Sequence, residues 1–128
     1  MKRERERVLD ASALLAFLHE EPGGQQVDLD GSVMSAVNWS EVFAKCLAYG
    51  IEVEGLRDEL EALGLVIEPL DAQTAERAAE LLSKTRSLGL SLGDRVCLAL
   101  GERLGLPVVT ADRTWRKVQI GVEIRLIR

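Results

Sequence analysis

Four carboxylates carry most of the chemistry this chain can offer: Asp10, Glu41, Asp94 and Asp112. Asp10 directly follows the apolar pair Val8-Leu9, and Asp112 stands three residues beyond Val108-Val109. Glu41 falls in the first turn of an amphipathic stretch, and Asp94 opens another after the loop 89–93. Anions gathered at one place repel one another unless a cation shares the space, so such a set either raises its pKa values or recruits an ion. With oxygen ligands alone, the natural guests are Mg²⁺ or Mn²⁺. The single histidine, His19, rules out a histidine cage, and its neighbours Glu20, Glu21 and Pro22 make it read as a solvated surface residue. Cys46 and Cys97 form no C-x-x-C pair and sit in apolar helical patterns, so both read as reduced core residues.

Each acid also has a purely structural reading. Asp10 and Asp94 suit helix caps, Glu41 suits the positive end of a helix dipole, and Asp112 suits a turn. Short polar groups accompany them. Ser12 follows Asp10 by two, Thr110 precedes Asp112 by two, and Asn38 precedes Glu41 by three, which puts it on nearly the same helical face. These groups can hold a metal-bound water or a phosphate oxygen, while Ser12 and Asn38 equally suit N-caps.

The elements that must position these residues follow from apolar periodicity. Strands are expected at 5–9, 33–37, 65–70, 108–109 and 123–127. Helices are expected at 12–18, 38–49, 53–63, 71–88 and 94–104, with a short helical turn at 113–117. Alternating strands and helices define an α/β fold with a mainly parallel sheet covered on both faces. In open α/β sheets, ligand sites form beyond the carboxyl ends of strands, where helix starts also gather. That rule brings all four acids to one edge.

A length of 128 residues fits a single domain spanning 1–128, and 47% hydrophobic with 29% charged residues supports a packed core. No apolar run is long enough to span a bilayer, and the basic start at 2–7 lacks the apolar stretch of a secretory signal, so a cytoplasmic location is expected. The net charge of −5 argues against passive electrostatic nucleic-acid binding. It does not exclude a nuclease, because carboxylates that hold a cation are counted as negative until it is bound.

The segments VLDASALLAFL, VNWSEV, SLGDRVCLAL and VVTADRTW, in that order, resemble the four acidic motifs of PIN-domain ribonucleases, particularly VapC-type toxins. The resemblance runs from residue 8 to about residue 115. It implies a PIN-like three-layer fold in which Asp10, Glu41, Asp94 and Asp112 are the catalytic, metal-binding acids, with Ser12 and Thr110 as the matching hydroxyl positions. It further implies an Mg²⁺-dependent endoribonuclease (Mn²⁺ as a substitute) that leaves a 5′-phosphate, forms a homodimer and is restrained by a cognate antitoxin whose tail enters the acidic cleft. One departure is visible: many relatives carry a further acid two residues after the fourth motif Asp, where this chain has Thr114.

RNA contacts are expected from the cations near the acids: Arg95, Arg113, Arg116 and Arg86. Arg3, Arg5 and Arg7 are expected to decorate the exposed side of the first strand, and Trp39 and Trp115 to pack beside the cleft. Two other classes of function compete. A phosphoacceptor domain needs adjacent early acids and a lysine after a late strand, and a dehalogenase-like phosphatase needs a second Asp where Ser12 stands; Asp10 stands alone, and the first lysine after Val109 is Lys117. A catalytically silent PIN-like binding module would keep the pocket only to engage a partner. Apolar side chains on 38–49 and 53–63, including Val42, Phe43, Leu47, Leu56, Leu60 and Leu63, exceed what one-sided packing needs and suggest a twofold interface.

Overall fold

A computed structural model describes residues 4–128. Five short strands, β1 (Arg7–Leu9), β2 (Ser32–Ser35), β3 (Val66–Glu68), β4 (Val108–Thr110) and β5 (Ile124–Leu126), form one sheet in the order β3-β2-β1-β4-β5. All four pairings are parallel. The helices are α1 (Ala11–Leu18), α2 (Ala36–Ala48), α3 (Leu56–Ala62), α4 (Ala72–Glu80), α5 (Leu82–Thr85) and α6 (Leu92–Leu104), with 3₁₀ turns at Gly24–Gln26, Arg86–Leu88 and Arg113–Lys117.

Side chains of a strand alternate between the faces of its sheet, and here both faces are apolar. Register aligns Val66, Val33, Val8, Val108 and Ile124 in one row across all five strands. That row packs with Ala78 and Leu81 and with Val96–Leu100 of α6. Leu9, Met34, Val109 and Ile67 face the other way, against α1, α2 and α3. A one-residue slip of any strand would exchange the two sets, so the pattern fixes the register. Gly101 lets α6 lie against β4, since a Cβ there would fall 2.5 Å from Val108 Cγ2. The result is three layers: helix, sheet, helix.

Strand order places the reversal of winding between β1 and β4. In a doubly wound sheet the crevice opens at that point, outside the carboxyl ends of the two strands. Asp10 is the residue after β1, and Asp112 follows β4 by two.

Several expected elements change in detail. Helix α1 is capped by Asp10, whose side chain accepts from Ala13 N, and not by Ser12. Strand 33–37 ends at Ser35, which caps α2, so Asn38 is not a cap and Glu41 lies in the second turn instead of the first. Helix α3 begins only at Leu56, because Gly55 takes a left-handed φ of 76° just before it. The expected helix 71–88 is broken into α4, α5 and a 3₁₀ turn. There the Thr85 hydroxyl donates to Leu81 O and Ser83 to Glu80 O, local bonds that compete with helical continuity. Helix α6 starts at Leu92 with Ser91 as its cap, so Asp94 is its third residue and not its first.

Arg7 does not decorate the surface: its guanidinium is half-buried and donates to Asp28 O, Asp30 O and Ser32 Oγ, fastening the chain that enters β2. Arg5 is exposed and pairs with Glu68, and Arg3 lies outside the described residues. His19 is half-buried, with its ring edge-on to Tyr49. Both cysteines are free and buried. Trp39 is half-buried and stacks edge-on with Phe43.

Trp115 is fully buried in the α6-side core and anchors the 3₁₀ turn that Asp112 caps. Trp115→Ala is expected to cost about 3–5 kcal/mol in urea unfolding. Trp115→Phe is expected to cost much less, since the indole N–H has no hydrogen-bond partner among the described residues to lose.

Candidate functional site

The carboxyl ends of β1 and β4 are tied by a short polar network. Asp10 is 4% exposed. Its Oδ1 accepts from Ala13 N (2.8 Å) and Ser12 Oγ (2.8 Å). Its Oδ2 accepts from Thr110 Oγ1 (2.5 Å) and lies 2.9 Å from Ser12 Oγ. Ser12 Oγ in turn accepts from Ala111 N (2.9 Å), and Thr110 Oγ1 accepts from Asp112 N (3.0 Å). A carboxylate after one strand is thereby joined to the backbone beyond the other. Ser12 and Thr110, singled out for their spacing, both touch Asp10.

Burial pushes the Asp10 carboxyl up to about 6, against the downward pull of hydrogen bonds from Thr110, Ala13 and Ser12; the charge of Asp94 adds to the rise. Burial also raises the thiol of Cys97, helped by the charges of Asp10, Asp94 and Glu41. Three of the four acids therefore act on one buried point in α6.

Helix starts bring in the other acids. Asp94 closes a capping box: Ser91 Oγ accepts from Asp94 N (3.1 Å) while Asp94 Oδ2 accepts from Ser91 N (3.0 Å). Asp112 Oδ1 accepts from Thr114 N (3.0 Å) and Thr114 Oγ1 (2.8 Å). Asn38, buried in α2, donates through Nδ2 to Glu41 Oε1 (2.8 Å) and to Gly93 O (3.0 Å), joining α2 to the first turn of α6. Each of Asp94, Asp112 and Glu41 thus spends one oxygen locally. The other has no hydrogen-bond partner among the described residues.

Asp10, Glu41, Asp94 and Asp112 line one cavity of about 340 Å³, with Ser12, Leu15 and Lys45. Lys45 escaped the sequence reading, although its spacing of four from Glu41 on one helix face was a usable signal. Of the expected RNA contacts, Arg86, Arg113 and Arg116 are exposed, and the turns that carry them pack together. Arg95 is the exception. Its guanidinium turns to α4 and donates to Ala78 O (2.8 Å), and none of the four arginines lines the cavity itself.

Hard, all-oxygen donors with a free oxygen on three of the four acids fit Mg²⁺ or Mn²⁺. As the side chains stand, no group of three or more His, Cys, Asp or Glu among the described residues is arranged as a metal cage. An ion would have to draw the carboxylates inward.

Residues 7–121 match the PIN domain family, and the chain belongs to it. Solved structures share its fold along nearly their whole length. A toxin–antitoxin complex from Klebsiella pneumoniae superposes with a TM-score of 0.72 at 19% identity, covering 96% of this chain and 98% of that one. VapBC-1 from nontypeable Haemophilus influenzae gives 0.70 at 13% identity, covering 94% and 97%. VapC20 from Mycobacterium tuberculosis, a sarcin–ricin-loop-cleaving toxin, gives 0.65 at 15% identity, covering 92% and 99%. No curated protein matches the chain. No helix among the described residues is long and apolar enough to cross a membrane.

The Asp10 shift has a defined pH signature. Its folded value lies above the ordinary 3.8, so the metal-free fold holds this group's stabilisation below about pH 4 and loses it as pH rises through about 6. The loss is roughly 3 kcal/mol at most. In chelator, the stability of the native chain relative to Asp10→Asn is expected to decline between those pH values. A difference that stays flat would contradict a buried, ionising Asp10.

Proposed function

We propose that the chain is a metal-dependent endoribonuclease, the toxin of a VapBC-type toxin–antitoxin pair acting in the cytoplasm. The observation that carries this reading is the single cavity that Asp10, Glu41, Asp94 and Asp112 line at the switch point of a PIN fold. Phosphodiester hydrolysis needs a nucleophile at neutral pH and relief of the charge that builds on phosphate oxygens. A bound Mg²⁺ or Mn²⁺ supplies both, acidifying water and acting as a Lewis acid. Asp10, Asp94, Glu41 and Asp112 are the residues that would hold it.

The chain's own groups account for the rest. Ser12 and Thr110 orient Asp10, so that its negative charge stays fixed at the floor of the cleft. Lys45 is the cation on the cavity wall and is assigned to a non-bridging oxygen of the RNA phosphate. Arg86, Arg113 and Arg116 are assigned to the flanking backbone. Thr114 replaces a further acid and holds Asp112 by a hydrogen bond, which leaves less negative charge for a second ion.

A cognate antitoxin is the proposed inhibitor, in keeping with the toxin–antitoxin complexes that share the fold. A homodimer is also proposed, with a narrower contact than the sequence suggests. Val42 and Leu60 are buried in the core, whereas Leu47 and Leu63 are 57% and 56% exposed. Light scattering at micromolar concentration is expected to give a dimer mass, and Leu47→Glu combined with Leu63→Glu a monomer. A monomeric native chain would end this part of the proposal.

The silent-module reading keeps one point in its favour: the acids spend oxygens on caps and form no ready cage. Purified protein incubated with RNA and Mn²⁺ separates the two. Cleavage is expected with Mn²⁺, none with chelator, and a loss of about a hundredfold or more in Asp94→Asn. The Asn carbonyl can still accept from Ser91 N, so this variant should fold. Undiminished cleavage by Asp94→Asn, or cleavage in chelator, would rule the nuclease site out.

A further inference from the structure

Gly93 lies in the first turn of α6, between Leu92 and Asp94. Its backbone is not left-handed, so no turn geometry demands glycine there. The demand comes from across the cleft. A Cβ at this position would fall 2.5 Å from Glu41 Oε2, 2.6 Å from Oε1 and 2.7 Å from the carboxyl carbon. All three nearest atoms belong to one carboxylate at the end of a flexible side chain. A methyl group there would have to displace the Glu41 carboxylate and would leave the backbone in place.

The same carboxylate is held from its other side. Asn38 Nδ2 donates to Glu41 Oε1 and to Gly93 O, so both of its donors are committed. The carbonyl of Gly93 therefore anchors the amide that holds Glu41, while the missing side chain of Gly93 leaves the space that Glu41 fills. One residue performs both tasks, next to Asp94 in sequence.

We propose that Gly93 is a positioning residue for Glu41, keeping that carboxylate beside Asp94 so that the two can serve one divalent ion. This rests on the metal-dependent reading of the cleft. It also gives a specific reason why a helix should tolerate glycine in its first turn, where alanine forms helix better.

The test is Mn²⁺ binding to the purified full chain, followed by electron paramagnetic resonance, together with thermal unfolding in chelator. Gly93→Ala is expected to remain folded in chelator, unfolding within roughly 5 °C of the native temperature, yet to bind Mn²⁺ at least about tenfold more weakly. In a Glu41→Gln background the same substitution is expected to change Mn²⁺ affinity by less than about twofold, since its target is already gone. Asn38→Ala should weaken Mn²⁺ binding and likewise lose its effect beside Glu41→Gln.

Native Mn²⁺ affinity in Gly93→Ala, or an equal loss in both backgrounds, would overturn the proposal. So would failure of Gly93→Ala to fold, because the added methyl would then be meeting something rigid. If the native chain binds no Mn²⁺, the metal-dependent reading fails and takes this proposal with it. If native binding is present and Glu41→Gln weakens it while Gly93→Ala does not, this proposal alone fails.

Discussion

A carboxylate buried where two parallel strands end is the constraint on which the rest of this molecule depends. Asp10 has almost no contact with solvent, and the bonds that make this tolerable come from its own helix start, Ser12 and Ala13, and from Thr110 across the sheet. Thr110 reaches it from β4, and Ser12 links it to Ala111 N. The bonds from Thr110 and Ala111 exist only if β1 and β4 are neighbours in register, Leu9 opposite Val109. The apolar rows that fix that register are thus also what places the acid. Burying an anion is costly even when hydrogen-bonded, and its raised pKa expresses the residual penalty. A cation in the cleft would reverse that penalty, which ties folding energetics to the proposed chemistry.

The contacts that cap helices also set the places of the acids to which the chemistry is assigned by proposal. Asp10 caps α1, Asp94 closes the capping box of α6, and Asp112 caps the turn at Arg113–Lys117. Capping needs one oxygen accepting from a backbone N–H at a helix start. In an α/β sheet those starts lie above the carboxyl edge of the strands, so residues that cap are brought together by topology. The second oxygen of Asp94 and of Asp112 then remains for the cleft. Local stability selects a position, and a shared edge turns separate positions into one site.

Much of this was legible in the chain. Val8-Leu9 before Asp10 and Val108-Val109 before Asp112 announce strand ends, and the parallel α/β class follows from the alternation of elements. Periodicity could not choose between Asp10 and Ser12 as the cap of α1, because both are good caps two residues apart; the backbone at Asp10 decided. Nor could it see the break after α4, where Thr85 and Ser83 bond backward. Distance along the chain does not place cations either: Arg95, next to Asp94, bonds to Ala78 O. A helix turns neighbours by about 100°, so the residue beside Asp94 faces α4 while Lys45, far off in sequence, reaches the cavity. Gly93 carried no sequence signal of its own, because its role lies in the space it leaves for Glu41.

If the cleft holds a divalent ion, carboxylates now engaged in local hydrogen bonds must converge on it. Anomalous diffraction from crystals grown with Mn²⁺ tests this most directly. A manganese peak is expected in the cavity between α1, α2 and α6, in contact with Asp10 and Asp94, with Glu41 or Asp112 drawn toward it. Crystals whose manganese binds elsewhere, or nowhere, with the four carboxylates still apart, would contradict it.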